Sequence, residues 1–239
     1  DAGATIVSGG DVVVGQGIAG RRTKIVARGE LRTGYIQEAR VRVGGDILVG
    51  NHVVQGILHA DGVVSVEERE GPRGGSISGG EVWGLGGIRL HVAGSLQHNR
   101  TCLTAGLDPD GAKKLDLLNR KLEESNKHII RHLSRFNLKK LDVKAIQQRL
   151  AASTGPQKKV LARAAQQLGQ LVQAHQGFLK ERQAIEEGAG AGGLAIAYVE
   201  AHKSVFPGVV VRIGDSSREV KSPMKQSRFQ LQGGTLSIR

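Results

Sequence analysis

Over residues 1–110 short apolar runs alternate with polar positions, and each run is bounded by glycine. Gly10-Asp11-Val12-Val13-Val14-Gly15, Gly29-Glu30-Leu31-Arg32-Thr33-Gly34 and Gly45-Asp46-Ile47-Leu48-Val49-Gly50 share one template, a small or acidic corner followed by a β-branched run. Weaker copies stand at Asp61-Gly62-Val63-Val64 and Gly80-Glu81-Val82-Trp83-Gly84. From Asp11 to Glu30, Asp46, Val63 and Glu81 the steps are 19, 16, 17 and 18 residues. Strands this short cannot bury a face alone, but stacked about 4.8 Å apart they share one continuous aliphatic core. The pattern predicts a β-solenoid of about five coils with an irregular period.

The period then changes. Leu115, Leu118, Leu122, Ile129, Leu133 and Phe136 recur at helical spacing, as do Leu161, Ala164, Leu168, Leu171, His175, Phe178, Arg182 and Ile185. Asp108-Pro109 reads as an N-cap followed by proline at the first helical position. Thr154-Gly155-Pro156 marks a reversal, a shorter helix is expected over Val143–Ala152, and the Gly/Ala run from Gly188 stops the last helix. Two arms of about 30 residues would each extend about 45 Å, as an antiparallel hairpin standing clear of the solenoid. Strand patterns resume at Leu194–Val199, Val209–Ile213, Phe229–Leu231 and Leu236–Ile238. The expected organisation is therefore 1–110 solenoid coils, 111–187 helical insertion and 188–239 returning strands.

Composition sharpens that division. Of 35 glycines, 23 precede residue 111 and three (Gly155, Gly169, Gly177) lie in 112–187. The formal charge of +12 is equally uneven: 1–110 carries 11 Lys/Arg against 12 Asp/Glu, 111–187 carries 16 against 7, and 188–239 carries 7 against 3. An excess of this sign selects acidic partners: a protein, a nucleic acid or an anionic membrane. One cysteine, Cys102, excludes an internal disulfide and fits a reducing compartment. No apolar run approaches the length of a membrane span. The opening on Asp1 rather than Met is what a fragment or processed product would show.

Three segments carry a family resemblance: Gly74-Gly75-Ser76-Ile77-Ser78-Gly79-Gly80, then Gly94 with Thr101–Gly106, and, after the helices, Ser204-Val205-Phe206-Pro207-Gly208-Val209-Val210-Val211-Arg212-Ile213-Gly214. With this order of elements the chain resembles the flagellar assembly protein A (FapA) family. The resemblance implies a mainly β fold with an α insertion, a right-handed β-solenoid interrupted by a long antiparallel coiled-coil hairpin. It further implies a cytoplasmic bacterial protein linked to flagellar assembly and organisation of the cell pole. It brings no catalytic residues, and the expected role is non-enzymatic.

Candidate chemistry is sparse, and no cofactor or metal is expected. Gly15-Gln16-Gly17-Ile18-Ala19-Gly20 matches a dinucleotide-binding spacing, but Arg21–Val26 continues as strand where that motif needs a helix N-terminus. Around Asn51-His52 the chain looks locally like a hexapeptide-repeat acyltransferase with His52 or His59 as general base, although steps of 16 to 19 residues depart from a six-residue period. His52 reads more simply as a solvated corner. His128 and His132 stand four apart on one helix without further ligands nearby. The remaining feature is a basic cluster, Arg131, Arg135, Lys139, Lys140, Lys144, Arg149, Lys158 and Lys159. Its expected partner is an acidic protein. Duplex nucleic acid or an anionic membrane surface is the alternative, single-strand binding lacks aromatic platforms, and self-association through the helices or solenoid ends is a further expectation.

Overall fold

The computed structural model describes residues 3–67, 74–97, 99–188, 194 and 196–239. The chain divides into two compact units, Asp1–Ala112 with Glu186–Arg239, and Lys113–Ile185.

The first unit is built from strands β1 (Thr5–Ser8), β2 (Val12–Ala19), β3 (Lys24–Ala27), β4 (Leu31–Gln37), β5 (Arg40–Val43), β6 (Ile47–Ala60), β7 (Val63–Val66), β8 (Ser76–Gly84), β9 (Gly87–Ala93) and β10 (Thr101–Ala105). It continues with β11 (Tyr198–Val205), β12 (Val209–Ile213), β13 (Ser216–Glu219), β14 (Met224–Gln232) and β15 (Thr235–Ile238). Parallel pairing sorts them into three faces. On the first, β1, β3, β5, the end of β6, the end of β8, β10 and β12 lie in sequence. The second holds the starts of β2, β4 and β6, then β7, β9 and β11. The third holds the ends of β2 and β4, the middle of β6, the start of β8 and the ends of β9 and β11. This is a β-solenoid with three strands per coil.

Register places like side chains above one another. Ile25, Val41, Leu58, Val82, Leu103 and Val211 form one buried ladder, and Leu31, Ile47, Val64, Ile88, Val199 and Phe229 form a second. A third runs Ile18, Ile36, Val53, Ile77, Ala93 and Val205. Period-2 alternation turns these residues inward and leaves their polar neighbours outside. The second face stacks six parallel strands where the sequence pattern shows about five repeats. Its fourth step also differs: Val63 pairs with Gly87, not with the Gly80–Gly84 copy, which lies on the first face beside Gly56–Ala60. The added residues fall between Val66 and Ser76, where 68–73 lie outside the described residues.

The acidic corner of the template has a defined role. Asp11 Oδ1 accepts a hydrogen bond from Glu30 N at 2.9 Å, and Asp46 Oδ1 accepts one from Val63 N at 2.8 Å. Each aspartate thus satisfies a corner amide of the next coil, and glycine is required there because a Cβ on Gly29 or Gly62 would overlap the carboxylate.

At the far end the chain reverses. β13 runs antiparallel to β12, β14 antiparallel to β11 and β15 antiparallel to β14, so the last coil is covered by strands that reverse direction. Val209–Ile213 forms as the pattern predicts, and Phe229–Leu231 and Leu236–Ile238 lie within longer strands. The strand expected over Leu194–Val199 instead begins at Tyr198. Leu194 and Ala197 are buried and crowd Gly106, where a Cβ would approach them within 2.8 Å, so these residues fill a corner before the ladder begins.

Between β10 and β11 lie α1 (Pro109–Ser134), α2 (Val143–Ala152) and α3 (Gly155–Gly188). Asp108 Oδ1 accepts from Gly111 N at 2.7 Å, and Asp142 Oδ1 from Ala145 N at 3.0 Å, capping α1 and α2 at their N-termini. The Gly/Ala run after Gly188 includes 189–193, which lie outside the described residues. In the second unit Lys114 pairs with Glu181 at 3.0 Å, Lys121 lies 5.5 Å from the Phe178 ring centre, and Ser125 hydrogen-bonds His175 at 2.7 Å. As the residue number rises along α1 it falls along α3. Farther on, Leu133, Phe136, Ile146, Ala164 and Leu168 form one buried cluster drawn from the end of α1, α2 and α3.

Leu58 sits midway along its ladder, fully buried, so Leu58→Ala should cost about 2–5 kcal/mol in urea unfolding followed by far-UV circular dichroism. Gly62→Ala should destabilise by about 2 kcal/mol or more, and Asp46→Ala on top of it should cost less than the sum of the two single changes, because the clash needs both groups. Additive losses would exclude the corner contact as the cause.

Candidate interaction surface

All eight cations of the basic cluster are exposed. Arg131 lies in the last turn of α1 and Arg135 just past it. Lys139 and Lys140 occupy the connection to α2, Lys144 and Arg149 lie on α2, and Lys158 and Lys159 on the opening turns of α3. The elements that carry them share the buried cluster around Phe136 and Ile146. The sequence-distant members are thereby held in one small helical assembly.

Its electrostatics are one-sided. From His128 to Lys180 there are ten Lys and Arg residues and a single carboxylate, Asp142. That carboxylate is engaged with the Ala145 amide as the cap of α2. Among the described residues none of the eight cations makes an ion pair. The rest of the unit is different, since Lys114 meets Glu181 and Lys127 meets Glu123 at 2.6 Å, with Glu123 held below and Lys127 above its usual range by that hydrogen bond.

Two of these cations also stand where the helices themselves disfavour them, while Arg131 and Arg149 lie in last turns. A helix N-terminus carries partial positive charge and prefers acidic side chains in its first turn. Neither α2 nor α3 has an acidic residue there, and both carry lysine instead, Lys144 and Lys158. Lys159 with Arg163 repeats like charge at four-residue spacing on α3, an arrangement unfavourable by a few tenths of a kcal/mol.

His132 lies inside this field. Its Nδ1 is buried and finds no hydrogen-bond partner among the described residues. Burial, followed by the charges of Arg135, His128 and Arg131, lowers its pKa below 6.5. Among the described residues no group of three or more His, Cys, Asp or Glu that could hold an ion includes His128 and His132.

The other sequence candidates have structural explanations. Gly15 and Gly17 lie within β2, and the Tyr35 ring occupies the space a Cβ on Gly17 would need. The spacing therefore serves a strand-to-strand contact, with no helix following to receive a pyrophosphate. His52 is not at a solvated corner: it is half-buried within β6 and stacked on Tyr35 at 5.4 Å, because β6 runs unbroken from one face through the next. His59 contacts Trp83 edge-on at 6.0 Å, and burial lowers its pKa. A groove of about 510 Å³ crosses the corners around Gly15, Gly34 and Gly50, and neither histidine lines it.

Sequence reasoning missed Leu141 and Val143. They are 47% and 59% exposed and sit among Lys139, Lys140 and Lys144. The signal was the tripeptide Leu141-Asp142-Val143 itself, a cap flanked by apolar residues.

The family model described as the Flagellar Assembly Protein A beta solenoid domain matches residues 2–236. No curated protein and no solved structure matches the chain.

Because its buried charge balance differs between the two states, His132 should titrate with a midpoint below 6.5 when followed by its imidazole proton resonance. The unfolded chain binds that proton more readily, so the group's contribution to stability is lost as pH falls from above 6.5 toward the folded midpoint. A midpoint at or above 6.5 would show that the ring is solvated or paired.

Proposed function

Since the chain belongs to the flagellar assembly protein A family, we propose that it acts in flagellar assembly as a non-enzymatic scaffold that holds an acidic protein on its basic helical segment. The solenoid (1–110 and 188–239) is the rigid base, and 111–187 is an antiparallel coiled-coil hairpin that presents the site. The inverse numbering of the α1–α3 contacts supports the hairpin. Successive parallel strands joined across one sheet favour right-handed coils, for the twist reason that governs such crossovers generally. In this reading the protein works in the bacterial cytoplasm, at the cell pole.

One observation carries the proposal. The eight cations of 131–159 make no ion pair within the described residues, and two of them, Lys144 and Lys158, stand at helix N-termini, against the dipole. Their charge is available to a partner. A partner's carboxylates would meet both the ammonium groups and the N-termini of α2 and α3, two attractions that add.

Replacing Lys139, Lys140 and Lys144 together by glutamate tests it. Affinity capture from nuclease-treated bacterial lysate should retain an acidic protein on the intact chain and lose it on the variant. The melting temperature should hold or rise slightly, because Lys144→Glu suits the α2 N-terminus by about 0.3–1 kcal/mol. Equal capture by both chains would remove the site. Duplex DNA or anionic vesicles held by the intact chain at physiological salt, in place of any protein, would transfer the basic surface to nucleic acid or membrane.

A further inference from the structure

The segment Lys139-Lys140-Leu141-Asp142-Val143-Lys144 places two large apolar side chains on the surface between three lysines. Leu141 precedes the α2 cap, and Val143 is the first residue of the helix. Val143 also opens an apolar stripe, since Ile146 and Leu150 follow at three- and four-residue spacing. Ile146 is buried in the cluster with Phe136 and Ala164, and Leu150 packs against it. The stripe therefore continues from packed core to open surface within one turn. Asp142, whose Oδ1 accepts from the Ala145 amide, is one carboxylate against three lysines, so the segment keeps a net positive charge.

From this juxtaposition we propose that the partner segment is an amphipathic acidic helix or strand of another protein, whose apolar side chains cover Leu141 and Val143 while its carboxylates meet Lys139, Lys140 and Lys144. The inference rests on the acidic-partner reading above and adds the apolar half of the contact. A second copy of this chain is a poor occupant, because it would bring the same lysines against these. Nucleic acid offers phosphate but no apolar side chain to cover two aliphatic residues.

The probe is a fluorescent helix-forming peptide of glutamates with a leucine stripe, beside a peptide of identical charge in which glutamine replaces each leucine. Anisotropy titrations use the whole chain at physiological salt. The leucine peptide should bind about tenfold more tightly than the glutamine peptide, the gain expected from covering two half-exposed aliphatic side chains. Leu141→Gln with Val143→Thr should abolish that preference and keep the weaker affinity for the glutamine peptide. Both residues are exposed, so the helical circular dichroism and melting temperature should stay as they are. The Lys139, Lys140 and Lys144 to glutamate variant should lose both peptides.

Equal affinity of the intact chain for the two peptides overturns the apolar half and leaves the acidic-partner reading standing. Binding of neither peptide, with duplex DNA or anionic vesicles retained, overturns both readings. Loss of self-association in the Leu141→Gln, Val143→Thr variant, seen by sedimentation velocity, would assign the patch to a second copy and overturn the proposal.

Discussion

Every coil of the solenoid has to place a branched aliphatic residue directly above the one before it. The strands pair in parallel and in register, so a residue inserted within a strand would turn the following side chains from the core to solvent. A corner carries no such requirement. The chain accordingly varies its length at corners: the stretch between Val66 and Ser76 adds residues at one, and everything from Gly106 to Ala197 is accommodated at another. β10 ends on the first face and β11 resumes on the second, pairing with β9 as though no helices had intervened. Gly106, Leu194 and Ala197 pack together where the chain leaves and returns, which closes that corner despite the length of the insertion.

The same stacking that makes a core also makes an edge. A parallel coil ends in a row of unpaired amides and carbonyls, and it would accept another strand. In this chain the last coil is met by strands that reverse direction, and β13 contributes Ser216-Ser217-Arg218-Glu219, a polar and charged outer strand. Phe229 ends its ladder over Val199, fully buried, where one large ring covers more than another valine would. The side chains of the end coil differ in kind from those of the middle because they face no successor.

This division of labour explains what could be read from the sequence. The Gly-Asp corners were visible because an aspartate that bonds the next coil's amide forces glycine below it, and both residue types then recur at nearly fixed steps. Helical stripes were equally clear, and α2 begins and ends where its pattern does, at Val143 and Ala152. The two other faces of each coil were hidden. Arg40–Val43 alternates just as strictly but with charged outward positions, Lys24–Ala27 turns Val26 outward, and no acidic corner announces either. The fifth repeat was misplaced for a related reason: Gly80-Glu81-Val82 imitates a corner, while pairing partners, which sequence spacing does not contain, set its face. The basic cluster was readable as composition. That Lys144 and Lys158 oppose the helix dipoles, and that Leu141 and Val143 lie bare among the lysines, needed the cap at Asp142 and the burial of Ile146 to be seen.

Electrostatics distinguish the helical unit from the solenoid in a way that packing does not. In the solenoid some exposed charges are matched locally: Arg21 with Glu38, Arg32 with Glu30, Arg89 with Glu67 and Glu200. Such pairs contribute little stability each, about 0–1 kcal/mol. Between Arg131 and Arg163 the matching stops, while helix caps and buried contacts continue unchanged. A sequence under pressure for stability alone would place glutamate where Lys144 and Lys158 stand, since the gain at a helix N-terminus is available at no cost to packing. That these positions are basic, on helices otherwise built to ordinary rules, locates a requirement outside the fold. A negatively charged surface brought by another molecule, as proposed above, would meet that requirement.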